Sequence, residues 1–122
     1  MPLTGLEYLL HILEETGFLL NSSRGQEKKS FMRDETLKRA YVRSLETIGE
    51  AVKQMPSMLR QKYPAMDWRS IAGMRDRLIH GYFGVDYDIV WDAVKNKIPA
   101  LDDYIRTILS AEYSKPTNEG SK

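Results

Sequence analysis

Apolar residues step by three or four positions through most of this chain, which is the period of an amphipathic helix. The cleanest run is Leu37, Tyr41, Leu45, Ile48, Val52 and Met55, a faultless core face for a long helix opening at Asp34, a good N-cap. Its opposite side carries Arg39, Glu46, Glu50 and Lys53, with Val42 and Gly49 at the margin. Pro56 and Ser57 predict a bend or break near Met55, and Met58-Leu59 can restart a turn. An earlier helix over Leu3 to Leu20 uses Leu6, Leu9, Leu10, Leu13 and Phe18, and Thr4 with Glu7 has capping-box spacing. Asn21 to Gly25 is a polar break, and Gln26 to Arg33 is either a loop or a short helical extension.

Further along, Lys62-Tyr63-Pro64-Ala65 reads as a non-helical link, because the residue before a proline avoids helical geometry. Asp67 can cap a third helix, in which Trp68, Ile71, Ala72, Leu78 and Ile79 recur at helical spacing. Asp86 or Asp88 can cap a fourth, with Ile89, Val90, Ala93 and Val94 on its face, joined by Trp91 at its edge. Pro99 predicts a kink or short break near Lys97-Ile98. A last helix uses Leu101, Tyr104, Ile105, Ile108 and Leu109, with Asp102 and Asp103 expected in its first turn, where the helix dipole favours them. Residues 114–122 are polar and read as a disordered tail. No repeat and no convincing strand appears. Residues 1–113 are therefore expected to form one all-α, up-and-down bundle of four to five helices. In a bundle this small, leftover apolar and aromatic residues often enter a dimer interface.

Composition narrows the function classes. A chain of 122 residues has room for one core, and no apolar run is long enough to span a membrane. The start of the chain lacks a secretion-signal pattern, and zero cysteines remove disulfides and thiolate metal sites, which fits a cytoplasmic home. Two histidines, His11 and His80, are too few for a zinc site without carboxylate help. His11 lies away from the centre of the first helix's face and reads as a surface or half-buried residue. Asp86-x-Asp88 and Asp102-Asp103 are better explained by helix capping than by magnesium, so no metal and no cofactor are expected. A net charge of +1 does not announce a nucleic-acid binder. However, Arg24, Lys28, Lys29, Arg33, Lys38, Arg39 and Arg43 concentrate basic charge, either as a solvated face or as phosphate contacts.

The candidate chemistry sits in Met74-Arg75-Asp76-Arg77-Leu78-Ile79-His80-Gly81-Tyr82-Phe83-Gly84. Helical spacing puts Arg75 between Ile71 and Ile79, inside the apolar stripe, where a guanidinium needs an anionic partner or an open cleft. His80 would lie about 140° from Arg75 in a continued helix. Gly81 is a natural residue to end the helix and turn His80 and Tyr82 back towards Arg75. Imidazole suits proton transfer near neutral pH, guanidinium pairs with phosphate oxygens, and Tyr82 can hydrogen-bond a phosphate or stack on a base. Together they suit metal-free phosphodiester cleavage, with Arg75 and His80 catalytic. Asp76 and Arg77 lie beside them in sequence and can shape the site or contact RNA. Glu46 is either plain surface, or faces a partner, or orients the site. The bland alternative is that Arg75 pairs with a structural carboxylate and His80 caps a helix end.

The pattern Arg75-x4-His80-x-Tyr82, with its flanks Trp68 to Met74, Phe83 to Asp86, and Ile89-Val90-Trp91 on to Pro99, resembles the HEPN superfamily signature. It is more closely similar to the HepT-like toxins encoded beside minimal nucleotidyltransferase antitoxins. The resemblance covers about Leu6 to Leu109. It implies a homodimer in which Arg75, His80 and Tyr82 of both protomers line one cleft. It also implies a ribonuclease toxin of a type II/VII-like toxin–antitoxin pair, cutting tRNA or mRNA. The implied control is a cognate nucleotidyltransferase antitoxin that binds the toxin and can transfer AMP to Tyr82. A non-catalytic alternative keeps the bundle as a subunit that docks a nucleotidyltransferase and binds nucleotide or RNA without cutting it.

Overall fold

In the computed structural model, residues 3–79 and 84–113 are described. Three long helices frame the molecule: α1 (Gly5–Ser23), α3 (Glu35–Gln54) and α8 (Ile98–Tyr113). Short helices fill the joints: α2 (Lys28–Arg33), α4 (Ser57–Lys62), α5 (Trp68–Ala72), α6 (Met74–Leu78) and α7 (Tyr87–Asp92). α1 packs against both α3 and α8, and α3 carries α5 and α6 on its far side. The described residues contain no strand beyond a single antiparallel bridge, Ile79 to Val85. None of their helices is long and apolar enough to cross a membrane. The architecture is the expected all-α bundle, cut into more segments than the period alone suggests.

The caps follow the sequence. Thr4 and Glu7 form the reciprocal capping box on α1, with Thr4 N donating to Glu7 Oε1 at 2.8 Å. Asp34 accepts from Leu37 N at 3.0 Å, Asp67 from Ser70 N at 3.1 Å, and Asp86 from Asp88 N at 3.1 Å and Ile89 N at 3.3 Å. The α3 core face is as expected, with Tyr41, Leu45, Ile48 and Val52 fully buried and Met55 nearly so. Phe31 of α2 is sealed between Tyr41 and Trp91, both at 5.1 Å between ring centroids. α2 is therefore helical because one aromatic residue nails it to the core.

Three expectations are corrected. The buried face of α1 is Leu9, Ile12, Thr16, Leu19 and Ser23, whereas Leu10 and Phe18 are 48% and 40% exposed. The face was misplaced because two of its members are polar. Thr16 can occupy the stripe because its hydroxyl donates to Asp102 Oδ1 at 2.6 Å. That contact corrects the second expectation: Asp102 is not a first-turn residue soothing a helix dipole. It is a buried side chain, bonded also by Arg106 Nε at 2.9 Å. The third concerns Pro99, which causes no break. A π-helical turn over Ala93–Lys97 joins α7 to α8 and leaves Pro99 in the first turn of the latter. A wider turn relieves the clash between a proline ring and the carbonyl four residues back.

Candidate active site

The segment bearing the motif is set by two glycines. Gly49 on α3 is buried against α5 so closely that a Cβ there would lie 3.0 Å from the Ile71 carbonyl oxygen. Only a residue without a side chain lets α5 cross at this distance. Gly73, at φ −90° and ψ 10°, then splits what the period reads as one helix into α5 and α6. The break turns α6 so that Met74 and Leu78 are buried. Arg75 is thereby rotated out of the apolar stripe, and its side chain is 68% exposed. The expectation of a guanidinium inside that stripe is corrected by this break.

Arg75 Nε donates to Glu46 Oε2 on α3 at 3.1 Å. Glu46 is half-buried, so the carboxylate is anchored and the guanidinium is displayed. No described residue bonds the two terminal nitrogens of Arg75, and Arg75 lines an open groove of about 390 Å³. Tyr8 and His11 of α1 and Arg43, Glu46 and Thr47 of α3 line the same groove. Arg77 points elsewhere: its Nη1 donates to Ser70 Oγ at 2.5 Å at the edge of a separate cavity of about 260 Å³. Asp76 is exposed on α6 between the two arginines. The structure thus brings Glu46 to Arg75 and does not bring Arg77 to the same groove.

His80, Gly81, Tyr82 and Phe83 lie outside the described residues, as does the expected tail 114–122. Their flanks are well held. Ile79 N donates to the Arg75 carbonyl at 3.0 Å, Ile79 pairs with Val85, and Asp86 N donates to the Leu78 carbonyl at 2.8 Å. Gly84, at φ +82°, supplies a left-handed conformation at the returning end. The described flanks therefore meet beside the Leu78 end of α6, one turn from Arg75.

The basic stretch does not form one patch. Lys28 pairs with Asp88 at 2.7 Å, Lys38 pairs with Glu35 and lies over the Tyr87 ring, and Arg24 bonds Asn21. Arg43 alone of that stretch lines the Arg75 groove. Among the described residues no three His, Cys, Asp or Glu side chains converge as a metal site. Sequence reasoning passed over His11 and Tyr8 as site residues, since nothing in their local pattern marks them, and named Arg43 only as one of seven basic residues that could contact phosphate. Only the antiparallel packing of α1 on α3 sets them beside Arg75.

The all-α bundle is of the HEPN-like class of fold. The family described as ribonuclease HepT-like matches residues 8–108, and the chain belongs to that family. A protein of Caldanaerobacter subterraneus named as a candidate RNase is 49% identical over 105 residues, covering 86% of this chain and 94% of that protein. One from Methanocaldococcus jannaschii, named likewise, is 41% identical over 111 residues, or 91% and 92% of the two chains. A Thermococcus cleftensis protein named "Probable ribonuclease HepT" is 40% identical over 95 residues, or 78% and 86%. No solved structure matches the chain.

Proposed function

We propose that this protein is a metal-independent endoribonuclease acting as the toxin of a toxin–antitoxin pair. The observation that carries the reading is the Arg75 guanidinium, tied to Glu46 through Nε, mostly exposed and lining the groove, in a chain of the HepT-like family. That is a preorganised cation for a phosphate whose charge grows during cleavage. In this mechanism the His80 imidazole takes the proton from a ribose 2′-hydroxyl. The 2′-oxygen attacks the adjacent phosphorus, and the P–O5′ bond breaks. A second imidazole, His80 of the other protomer of a homodimer, protonates the departing 5′-oxygen. The products are a 2′,3′-cyclic phosphate and a 5′-hydroxyl.

Tyr82 contacts the RNA, and Glu46 positions Arg75. Asp76, exposed beside Arg75, limits where a phosphate can settle. Arg77, at the other cavity, has no part in this step. Control falls to a nucleotidyltransferase antitoxin that moves AMP from ATP to the Tyr82 phenolic oxygen with release of pyrophosphate. The added phosphate places negative charge beside Arg75 and competes with RNA.

The test is cleavage of cellular RNA in EDTA by wild type and His80→Ala, with end-group analysis and intact mass of each protein. Cutting by wild type alone, leaving cyclic phosphate ends, is the expected result. Equal cutting by both proteins removes His80 from the mechanism. Absence of cutting by a wild type that carries no added AMP favours the non-catalytic binding subunit.

A further inference from the structure

We infer that the groove running along α3 from Arg43, with its α1 wall of His11 and Tyr8, is the track that holds single-stranded RNA beside the cleavage point. The inference rests on the RNA reading above and assigns residues that the motif does not contain.

The packing makes the groove. α1 and α3 run antiparallel, with Ser44 Oγ donating to Glu15 Oε1 at 2.7 Å and Ser22 Oγ to Tyr41 Oη at 3.0 Å. This register brings Tyr8 and His11 of α1 to the same groove as Thr47 and Ala51 of α3. The α3 side of the groove is the stripe from Arg43 to Gln54, about 16 Å long at 1.5 Å per residue.

Charge divides it into two ends. Glu46 is already bonded by Arg75, and Glu50 accepts from Gln54 Nε2 at 3.1 Å at the far end. Arg43 is exposed, and no described carboxylate pairs with it. It stands one turn of α3 from Glu46, roughly 4.5 Å along the axis, close to the spot where Arg75 is displayed. Two guanidinium groups lining one groove suit successive phosphates of one strand. His11 is exposed on the opposite wall and can hydrogen-bond a phosphate or a ribose hydroxyl. Tyr8 is half-buried against the core, a fixed ring edge on which a base can rest. A base that rests on Tyr8 must be unstacked, so the groove suits a single strand and not a duplex.

The experiment measures binding without turnover. A fluorescein-labelled 2′-O-methyl RNA strand, which lacks the attacking hydroxyl, is titrated with the full chain in EDTA and followed by anisotropy. Arg43→Ala is expected to weaken binding about tenfold and to flatten the slope of log Kd against log salt by about 0.7, one phosphate contact on a single strand. His11→Ala and Tyr8→Ala are expected to cost roughly threefold to tenfold. Lys29→Ala, exposed on α2 and not among the residues lining the groove, should stay within about twofold, which reports general charge effects. Thermal melts check that each variant folds. Wild-type binding by Arg43→Ala and His11→Ala, or an equal loss in Lys29→Ala, overturns the track. So does equal affinity for a duplex, or no binding by wild type. Normal track behaviour in a protein that cuts no RNA would sink the nuclease reading and leave the groove standing.

Discussion

Among the described residues, two arginine–carboxylate pairs share one geometry, Nε on a carboxylate oxygen with the arginine side chain 68% or 62% exposed, and differ in how the carboxylate is anchored and in what lies beside the arginine. Asp102 is buried between α1 and α8, with one oxygen on Thr16 at 2.6 Å and the other on Arg106 at 2.9 Å. Both of its oxygens are engaged across or along packed helices. Glu46 lies at a groove, and its bonded partner Arg75 is mostly exposed with two nitrogens free of described partners. The first pair spends its hydrogen-bonding capacity on the bundle. The second leaves capacity for a ligand. The burial of the carboxylate and its second bond, not the exposure of the arginine, separate the two, because an exposed pair contributes only about 0–1 kcal/mol to stability while a buried polar group must be satisfied.

The strongest way to break this comparison is at the motif. His80→Ala is expected to lower RNA cleavage by about 10²-fold to 10⁴-fold, and Arg75→Ala by about 10²-fold to 10³-fold. Both should retain wild-type denaturant midpoints to within about 1 kcal/mol. A large loss of stability in Arg75→Ala would instead mark the pair as structural. Asp102→Ala should do the reverse, costing about 2–3 kcal/mol by chemical denaturation while the folded fraction cuts RNA at the wild-type rate. Thr16→Val tests the same bond from the other side, at about 1–2 kcal/mol.

Gly49→Ala joins the two regions. The new Cβ would press on the Ile71 carbonyl at 3.0 Å, and the strain of about 1–3 kcal/mol is partly offset by the better helix propensity of alanine. Because α5 leads into α6, cleavage should fall along with stability. Glu46→Gln is expected to reduce cleavage only about threefold to tenfold, mostly in kcat, with stability changed by less than about 0.5 kcal/mol. A still smaller effect is expected at the surface cluster of Lys62, Tyr63 and Glu112. Lys62 first, then the Tyr63 hydroxyl, hold the Glu112 carboxyl below the ordinary carboxylate range. The bond to Glu112 pushes Tyr63 up to about 12. A lowered carboxyl contributes stability above its unfolded value and loses it as pH falls through the folded one. Glu112→Gln should therefore flatten the acid limb of a pH–stability curve slightly, and leave the curve near pH 7 shifted only a little.

Much of the fold was legible because its signals are local. Caps at Thr4, Asp34, Asp67 and Asp86 need only a short polar side chain and the next turn of backbone, and all four appear where the sequence marks them. The α3 face was legible because every buried position from Tyr41 to Val52 that carries weight is apolar or small. The α1 face was not, because Thr16 is rendered apolar in effect by a partner 86 residues away. The same limit applied to Glu46, whose tie to Arg75 spans 29 residues and two helices.

The residues of the motif, their chemistry and the family they point to were thus set by the sequence alone: helix period, caps and the spacing Arg75-x4-His80-x-Tyr82 are properties of neighbours along the chain. Which way Arg75 faces was decided only in three dimensions. Gly73 breaks a helix that the period would continue, Gly49 admits α5 against α3, and the antiparallel register of α1 and α3 brings His11 and Arg43 to the same groove. Period along a chain determines which residues share a face. Where that face ends, and what stands across from it, depends on packing between segments far apart in sequence.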